Sequence, residues 1–92
     1  MLRNDTPIAV RLAAEQLGDH VATWRKLQRL TMQQVADRAG ITRTTLRRLE
    51  SGQTSVGFEV VLRVVRVLGQ LDTLTQALDP YESDLVSMTV EN

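Results

Sequence analysis

Apolar side chains recur at steps of three and four residues along the chain, which is the repeat of an α-helix that buries one face. The first stripe comprises Val10, Ala14, Leu17, Val21 and Trp24, and it predicts a helix from Pro7 to about Arg29 with Trp24 in the core. Thr6 is a suitable cap for this helix, and Pro7 suits its first turn, where a missing N–H costs nothing. Gly18 either kinks the helix or divides it in two, and the pattern leaves both open.

Two short helices are predicted next, joined by a tight turn at Gly40. The first begins at Thr31, which has the capping-box spacing to Gln34, and it ends at Gly40, a residue suited to a left-handed conformation. The second is capped by Thr42 and runs from Arg43 to about Ser51 before Gly52 stops it. The predicted core of the pair consists of Val35, Ala36, Ala39, Ile41, Leu46 and Leu49.

The remaining chain contains a polar loop, two more predicted helices and a tail. The apolar positions Phe58, Val61, Val64, Val65 and Leu68 predict a fourth helix that closes at Gly69, and a fifth covers about Asp72 to Leu78 before Pro80. Val86, Met88 and Val90 alternate with polar residues, as in a short strand. A strand here needs a partner from another copy or another protein, and a disordered tail is the alternative.

The chain therefore divides into a flexible start over residues 1–6, an all-α domain over residues 7–79, and a tail or dimerisation strand over residues 80–92. A chain of 92 residues has a core near the lower limit for independent stability, so a dimer is a reasonable expectation. Leu71, Leu74 and Leu78 either close the core of one chain or contribute to a dimer interface.

The composition excludes several kinds of chemistry. There is no cysteine, and His20 is the only histidine, so neither thiolate chemistry nor a metal site is expected. No base accompanies the hydroxyl side chains and no glycine-rich phosphate loop is present, so we expect no enzyme activity and no cofactor. No apolar run approaches the ~20 residues that span a bilayer, and no signal peptide is visible. We expect a cytoplasmic protein without membrane contact.

The net charge of zero conceals an uneven distribution. Residues 1–50 carry nine Lys/Arg and five Asp/Glu, a net charge of +4, whereas residues 51–92 carry two and six, a net charge of −4. Residues 25–50 alone carry seven basic and two acidic side chains, a net charge of +5. One basic face can therefore meet nucleic-acid phosphates, although ordinary solvated charges are the alternative.

The helix that begins at Arg43 has the most informative surface. A rotation of ~100° per residue places Leu46 and Leu49 inside and Thr44, Arg47 and Arg48 outside, with Arg43 at the edge. The arginine fork suits both guanine edges and phosphates. Two capped helices joined by a tight turn form a helix-turn-helix, whose second helix enters the DNA major groove. A solvated amphipathic helix is the alternative.

Residues 17–78 resemble the Cro/repressor-type, or XRE-type, helix-turn-helix domain of bacterial and phage regulators. The likeness is carried by the Val-Ala…Ala-Gly-Ile-Thr-Arg…Leu-Arg-Arg-Leu-Glu-Ser-Gly pattern that ends at Gly52. It implies a five-helix lambda-repressor-like fold and a structural ion pair between Arg25 and Glu50. It also implies that Thr42, Arg43, Thr44, Arg47 and Arg48 cap the helix, contact phosphate or read bases. We further expect Thr31, Gln33 and the loop residue Thr54 to contact the DNA backbone. Met32 departs from the family, which often has a phosphate-clamping glutamine there.

A narrower likeness connects the chain with HipB-type antitoxins. It is carried by Thr31-Met-Gln-Gln, by Val67-Leu-Gly-Gln-Leu-Asp and by Ala77-Leu-Asp-Pro-Tyr-Glu. The likeness implies a homodimer that binds operator DNA, represses its own operon and associates with a HipA-like Ser/Thr kinase toxin. It also implies a dimerisation role for the strand at Val86–Val90. A regulator without a toxin partner and a protein-interaction module that has lost DNA binding are the alternatives.

Overall fold

The computed structural model describes residues 5–82, and within that range it is built from helices alone. The five α-helices are α1 (Ile8–Leu27), α2 (Met32–Ala39), α3 (Arg43–Glu50), α4 (Phe58–Val67) and α5 (Leu71–Ala77), followed by a 3-10 turn at Pro80–Glu82. The predicted all-α fold is confirmed. The expected strand with Val86, Met88 and Val90, and the first four residues of the expected flexible start, lie outside the described residues.

The first helix differs from its prediction at both ends. Pro7 occupies the capping position itself, and its carbonyl accepts hydrogen bonds from the backbone N–H groups of Val10 and Arg11. No side chain caps the helix, so the expected cap by Thr6 is wrong. The helix ends at Leu27, two residues early, because the following turn needs Arg29 in a left-handed conformation (φ 58°).

The pair α2 and α3 forms as predicted. The Thr31 hydroxyl accepts a hydrogen bond from the Gln34 N–H, and the Gln34 side chain accepts one from the Thr31 N–H, which confirms the capping box. Gly40 adopts φ 71° and ends α2, as expected. The Thr42 hydroxyl caps α3 by accepting from the Thr45 N–H. These local bonds satisfy helix-terminal N–H groups that packing alone would leave unpaired.

The core lies where α2 packs against α3 and α4 and where α1 packs against α3. Its buried members are Val21, Val35, Ala36, Ala39, Leu46, Leu49, Val64 and Leu68. Trp24 does not join them, since it is 41% exposed, so its expected core position is wrong. Val10 and Leu17 are also half exposed, because they line an open apolar groove between α1, α4 and α5.

Gly18 neither breaks α1 nor divides it, because the helix is continuous through this residue. Instead, Gly18 is buried where α1 crosses the end of α3. A Cβ atom placed on Gly18 would lie 2.6 Å from the carbonyl oxygens of Leu49 and Glu50. Real Cβ atoms do not approach backbone that closely, so the absent side chain allows the two helices to touch. The glycine is therefore a packing residue.

An ion pair joins α1 to the same end of α3. The Arg25 guanidinium donates from Nε to Glu50 Oε2 at 2.8 Å and from Nη2 to Glu50 Oε1 at 3.0 Å. Its Nη1 donates to the Leu30 carbonyl at 3.1 Å. The two side chains are only 12% and 10% exposed. The structure thus forms the pair that the family resemblance implies, in the two-pronged geometry that favours arginine over lysine.

The Glu50 carboxylate raises the pKa of Arg25 above its ordinary value, chiefly through the hydrogen bond and also through its charge, and burial opposes the shift. Because the pKa of Arg25 is higher in the folded than in the unfolded chain, its interaction with Glu50 stabilises the fold. This stabilisation is fully present below the pKa of Arg25 in the unfolded chain. It is lost only as the pH rises through the folded pKa, far above neutrality. The Arg25 guanidinium therefore stays charged at neutral pH and well above it.

We expect Glu50→Ala to lower the free energy of unfolding by about 3 kcal/mol, because it leaves a nearly buried guanidinium without its partner. Thermal unfolding followed by circular dichroism measures this effect, and Glu59→Ala is the matched control. Glu59 pairs with Arg63 on the surface of α4, with side chains 77% and 49% exposed, so its loss should cost no more than about 0.5 kcal/mol.

Two further outcomes bear on the ion pair. The double variant Arg25→Leu, Glu50→Leu should be more stable than Glu50→Ala, because it leaves no unpaired charge. This variant also covers the case in which Glu50→Ala does not fold. A melting temperature that is unchanged in Glu50→Ala would contradict a structural role for the pair.

Candidate nucleic-acid interface

The outer face of α3 is the most basic surface of the motif. Arg43, Thr44, Arg47 and Arg48 are exposed, while Leu46 and Leu49 on the opposite face are buried. The caps and the core fix the helix axis, so the three arginine side chains project from one rigid element. Rigid elements position contacts more accurately than loops do. These four residues are the candidates for base reading.

The arginines of α3 have no acidic partner in the part of the chain that the structure describes. Within residues 5–82 the ion pairs are Arg25–Glu50 and Glu59–Arg63, and neither includes a residue of the outer face of α3. Glu50 is the acid nearest along the chain, and Arg25 already occupies its carboxylate. The positive charge of the outer face is therefore available to a polyanion.

The start of α2 supplies a second group of candidates. Thr31 is exposed, and although its oxygen accepts the capping bond, its hydroxyl hydrogen is still available to a phosphate. Gln33 is exposed too, but its amide donates to Asp37 at 2.8 Å, so it must exchange that bond to reach DNA. Met32 is half buried and packs against the core. At the position where the resemblance leads us to expect a glutamine, Met32 thus makes a core contact.

Thr42 has a local role in the structure. Its oxygen caps α3 and lies 2.8 Å from the Thr45 hydroxyl. Thr54 is exposed in the loop between α3 and α4. That loop is tied to α3, since the Gln53 N–H and the Ser51 hydroxyl both donate to the Arg48 carbonyl at 3.0 Å. Thr54 therefore directly follows a residue that is hydrogen-bonded to the end of α3, the proposed recognition helix.

The expected dimerisation residues do not form one cluster within the described chain. Leu71 and Leu74 are half buried, whereas Leu78 follows the end of α5 and is 87% exposed. Leu74 also lines an apolar groove of about 350 Å³ between α1, α4 and α5. The α1 wall of the groove consists of Val10, Ala13, Ala14, Leu17 and Val21. This groove is lined mostly by apolar side chains and reaches the predicted interface residue Leu74.

Sequence reasoning missed two side chains that fix the motif. Arg63 of α4 donates to the Ala39 carbonyl at 3.2 Å and so gives this carbonyl, at the end of α2, a hydrogen-bond partner. Gln28 donates to the Leu68 carbonyl at 2.8 Å and joins the end of α1 to the end of α4. Both partners are backbone carbonyls distant along the chain, and no sequence pattern marks such a bond. Only the packing of α4 reveals them.

Two capped helices joined at a left-handed glycine, with an exposed arginine face on the second helix, define a helix-turn-helix DNA-binding protein. The comparison with known families agrees. The model of the Helix-turn-helix family HTH_3 matches residues 21–74, which is more than half of the chain. The chain belongs to this family of XRE-type, DNA-binding transcription regulators, a family of binding domains and not of enzymes.

No curated protein and no solved structure gives a match to the chain. Within residues 5–82, no helix has the length and hydrophobicity that crossing a membrane requires. In the same range, no group of three or more His, Cys, Asp or Glu side chains is arranged to hold a metal ion. The family match and the geometry of the motif are therefore the basis for the function.

We expect Arg47→Ala and Arg48→Ala each to weaken binding to the cognate site by about 1–3 kcal/mol if the side chain reads a base. Fluorescence anisotropy on cognate and random duplexes at several salt concentrations measures this. A base-reading arginine loses affinity mainly on the cognate duplex, whereas a phosphate-binding arginine loses it equally on both. The control is Arg66→Ala, which removes an exposed arginine from α4. Unchanged affinity in both α3 variants would contradict the assignment of the interface.

Proposed function

We propose that this protein is a sequence-specific repressor that binds a palindromic operator as a homodimer and regulates its own toxin–antitoxin operon as a HipB-like antitoxin in the bacterial cytoplasm. One observation carries the DNA-binding part of the proposal. The arginine face of α3 is exposed, has no acidic partner within residues 5–82, and is held by two caps and a nearly buried ion pair. Arg43, Thr44, Arg47 and Arg48 read bases or adjacent phosphates. Thr31, Gln33, Thr42 and Thr54 contribute to the backbone contacts.

The homodimer is supported by the apolar surface that one copy leaves uncovered. Leu78 is almost fully exposed, and one turn earlier Leu74 borders the apolar groove beside α1. Exposed apolar patches mark surfaces for other protein chains, and most soluble homo-oligomers are twofold-symmetric dimers. A dimer of this kind places its recognition helices one DNA turn apart, about 34 Å. Val86, Met88 and Val90 would add a strand to the same interface.

The antitoxin role has its support in the resemblance of segments outside the motif. These are the end of α4 with the following turn, and the chain from Ala77 to Glu82, where Tyr81 is 75% exposed. A HipA-like kinase is therefore the proposed protein partner. The second candidate is a stand-alone regulator of the same family, which the features of the motif support equally well. A protein-interaction module without DNA binding is the third.

A gel shift with the DNA upstream of its own gene tests the operator and the dimer together. We expect retardation of the palindromic site and a large loss of affinity when one half-site is scrambled. Leu78→Glu should weaken both dimerisation, measured by analytical ultracentrifugation, and operator binding. Leu27→Glu is the matched control, because Leu27 is also an exposed leucine (69%) but is not one of the predicted dimerisation residues. No retardation of wild-type protein at low salt would favour the interaction module instead.

Co-purification tests the toxin partner. If the adjacent gene encodes a HipA-like kinase, we expect the two chains to elute together from a tagged co-expression. We also expect Arg47→Ala and Arg48→Ala to leave that complex intact, because neither arginine lies in the segments that carry the antitoxin resemblance. If the adjacent gene encodes no kinase, or if the kinase elutes alone, the stand-alone regulator is the better description.

A further inference from the structure

An open polar cleft lies beyond the C-terminal end of the recognition helix α3. Its volume is about 310 Å³, and it is lined by Arg11, Glu15, Gly52, Gln53, Thr54 and Ser55. Two elements therefore build it: the first turns of α1 and the loop that follows α3. Neither Arg11 nor Glu15 belongs to the interface described above.

The cleft has a fixed position relative to α3. Gly52 has φ 82°, and a Cβ atom on it would lie 2.6 Å from the Cα atom of Glu15. The loop backbone is thus pressed against the α1 backbone at this point. On its other side the loop is bonded to α3 through the Arg48 carbonyl, which accepts from the Gln53 N–H. Arg11, one turn before Glu15 on α1, is consequently held in place relative to the recognition helix.

The α1 wall of the cleft is a feature of this chain. The family match begins at residue 21, so residues 8–20 of α1 precede the part of the chain that the family model covers. Arg11 is exposed and takes part in neither of the two ion pairs found within residues 5–82. Its guanidinium therefore remains available to an anion from outside the protein.

We propose that this cleft binds a phosphate of the DNA backbone, with Arg11 as its charged donor and with Gln53, Thr54 and Ser55 as neutral donors. The inference rests on the proposed DNA binding. When the first residues of α3 contact base edges, the loop at its other end faces the sugar–phosphate rim of the groove. Arginine meets such a phosphate with two parallel hydrogen bonds.

The cleft has an acidic side chain as well as a basic one, since Glu15 and Arg11 both line it. Glu15 works against the proposed phosphate contact, because its carboxylate borders the same cleft and repels a phosphate there. That opposition provides an independent test.

Arg11→Gln should reduce the slope of log Kobs against log salt concentration by about 0.9, the value for one lost phosphate contact. The corresponding loss of affinity is roughly tenfold at 50 mM salt and disappears towards 1 M salt. The loss should be the same on cognate and random duplexes, since a phosphate contact carries no sequence information. Arg66→Gln is the matched control, because Arg66 is an exposed arginine that lines a different cleft. Circular dichroism verifies that each variant is folded.

Glu15→Gln should tighten binding by roughly 1.5-fold to fivefold, as expected when a repulsive charge is removed at an exposed site. A reduced slope in Arg11→Gln together with this gain supports the cleft. An unchanged slope in Arg11→Gln, or no gain in Glu15→Gln, overturns the proposal while leaving DNA binding by α3 intact. If wild-type protein does not bind DNA at all, the proposed function fails first, and this inference fails with it.

Discussion

The ion pair between Arg25 and Glu50 is the constraint on which the DNA-binding surface depends. It lies at the end of α3, almost out of contact with water, and it joins that end to α1 and, through the Leu30 carbonyl, to the turn before α2. Gly18 brings the α1 backbone into contact with the same end of α3. The C-terminal end of the recognition helix is therefore fixed by charge and by close packing, while Thr42 fixes its beginning.

This arrangement explains how a chain without net charge presents a basic surface. The one acid within α3 is turned inward and neutralised by an arginine of another helix, so the arginines on the outside keep their full charge. Within residues 5–82, the acidic residues of the second half lie on other elements, such as Glu59 on α4, which pairs with Arg63. The fold thus keeps the outer face of α3 basic, although the charges of the whole chain sum to zero. This separation of charges favours an oriented approach to DNA.

The first half of α1 forms a wall of both concave surfaces described above. Residues 8–20 precede the family match, and they form one wall of the polar cleft beside the loop after α3 and one wall of the apolar groove beside α5. The partial exposure of Val10 and Leu17 has the same origin. The proposed phosphate contact and the proposed dimer interface both include this half of α1.

Features that depend only on residues close together along the chain could be predicted from the sequence alone. The capping box at Thr31, the left-handed turn at Gly40 and the inner positions of Leu46 and Leu49 are local, because caps and helical periodicity involve residues at most four apart. The likeness to a known family added the distant pair of Arg25 and Glu50. The tertiary structure was needed to find the exposed position of Trp24, the packing role of Gly18 and the hydrogen bond from Arg63 to the Ala39 carbonyl. Each of these depends on which helix lies opposite. An apolar stripe that the sequence predicts to be buried remains exposed where no other helix covers it.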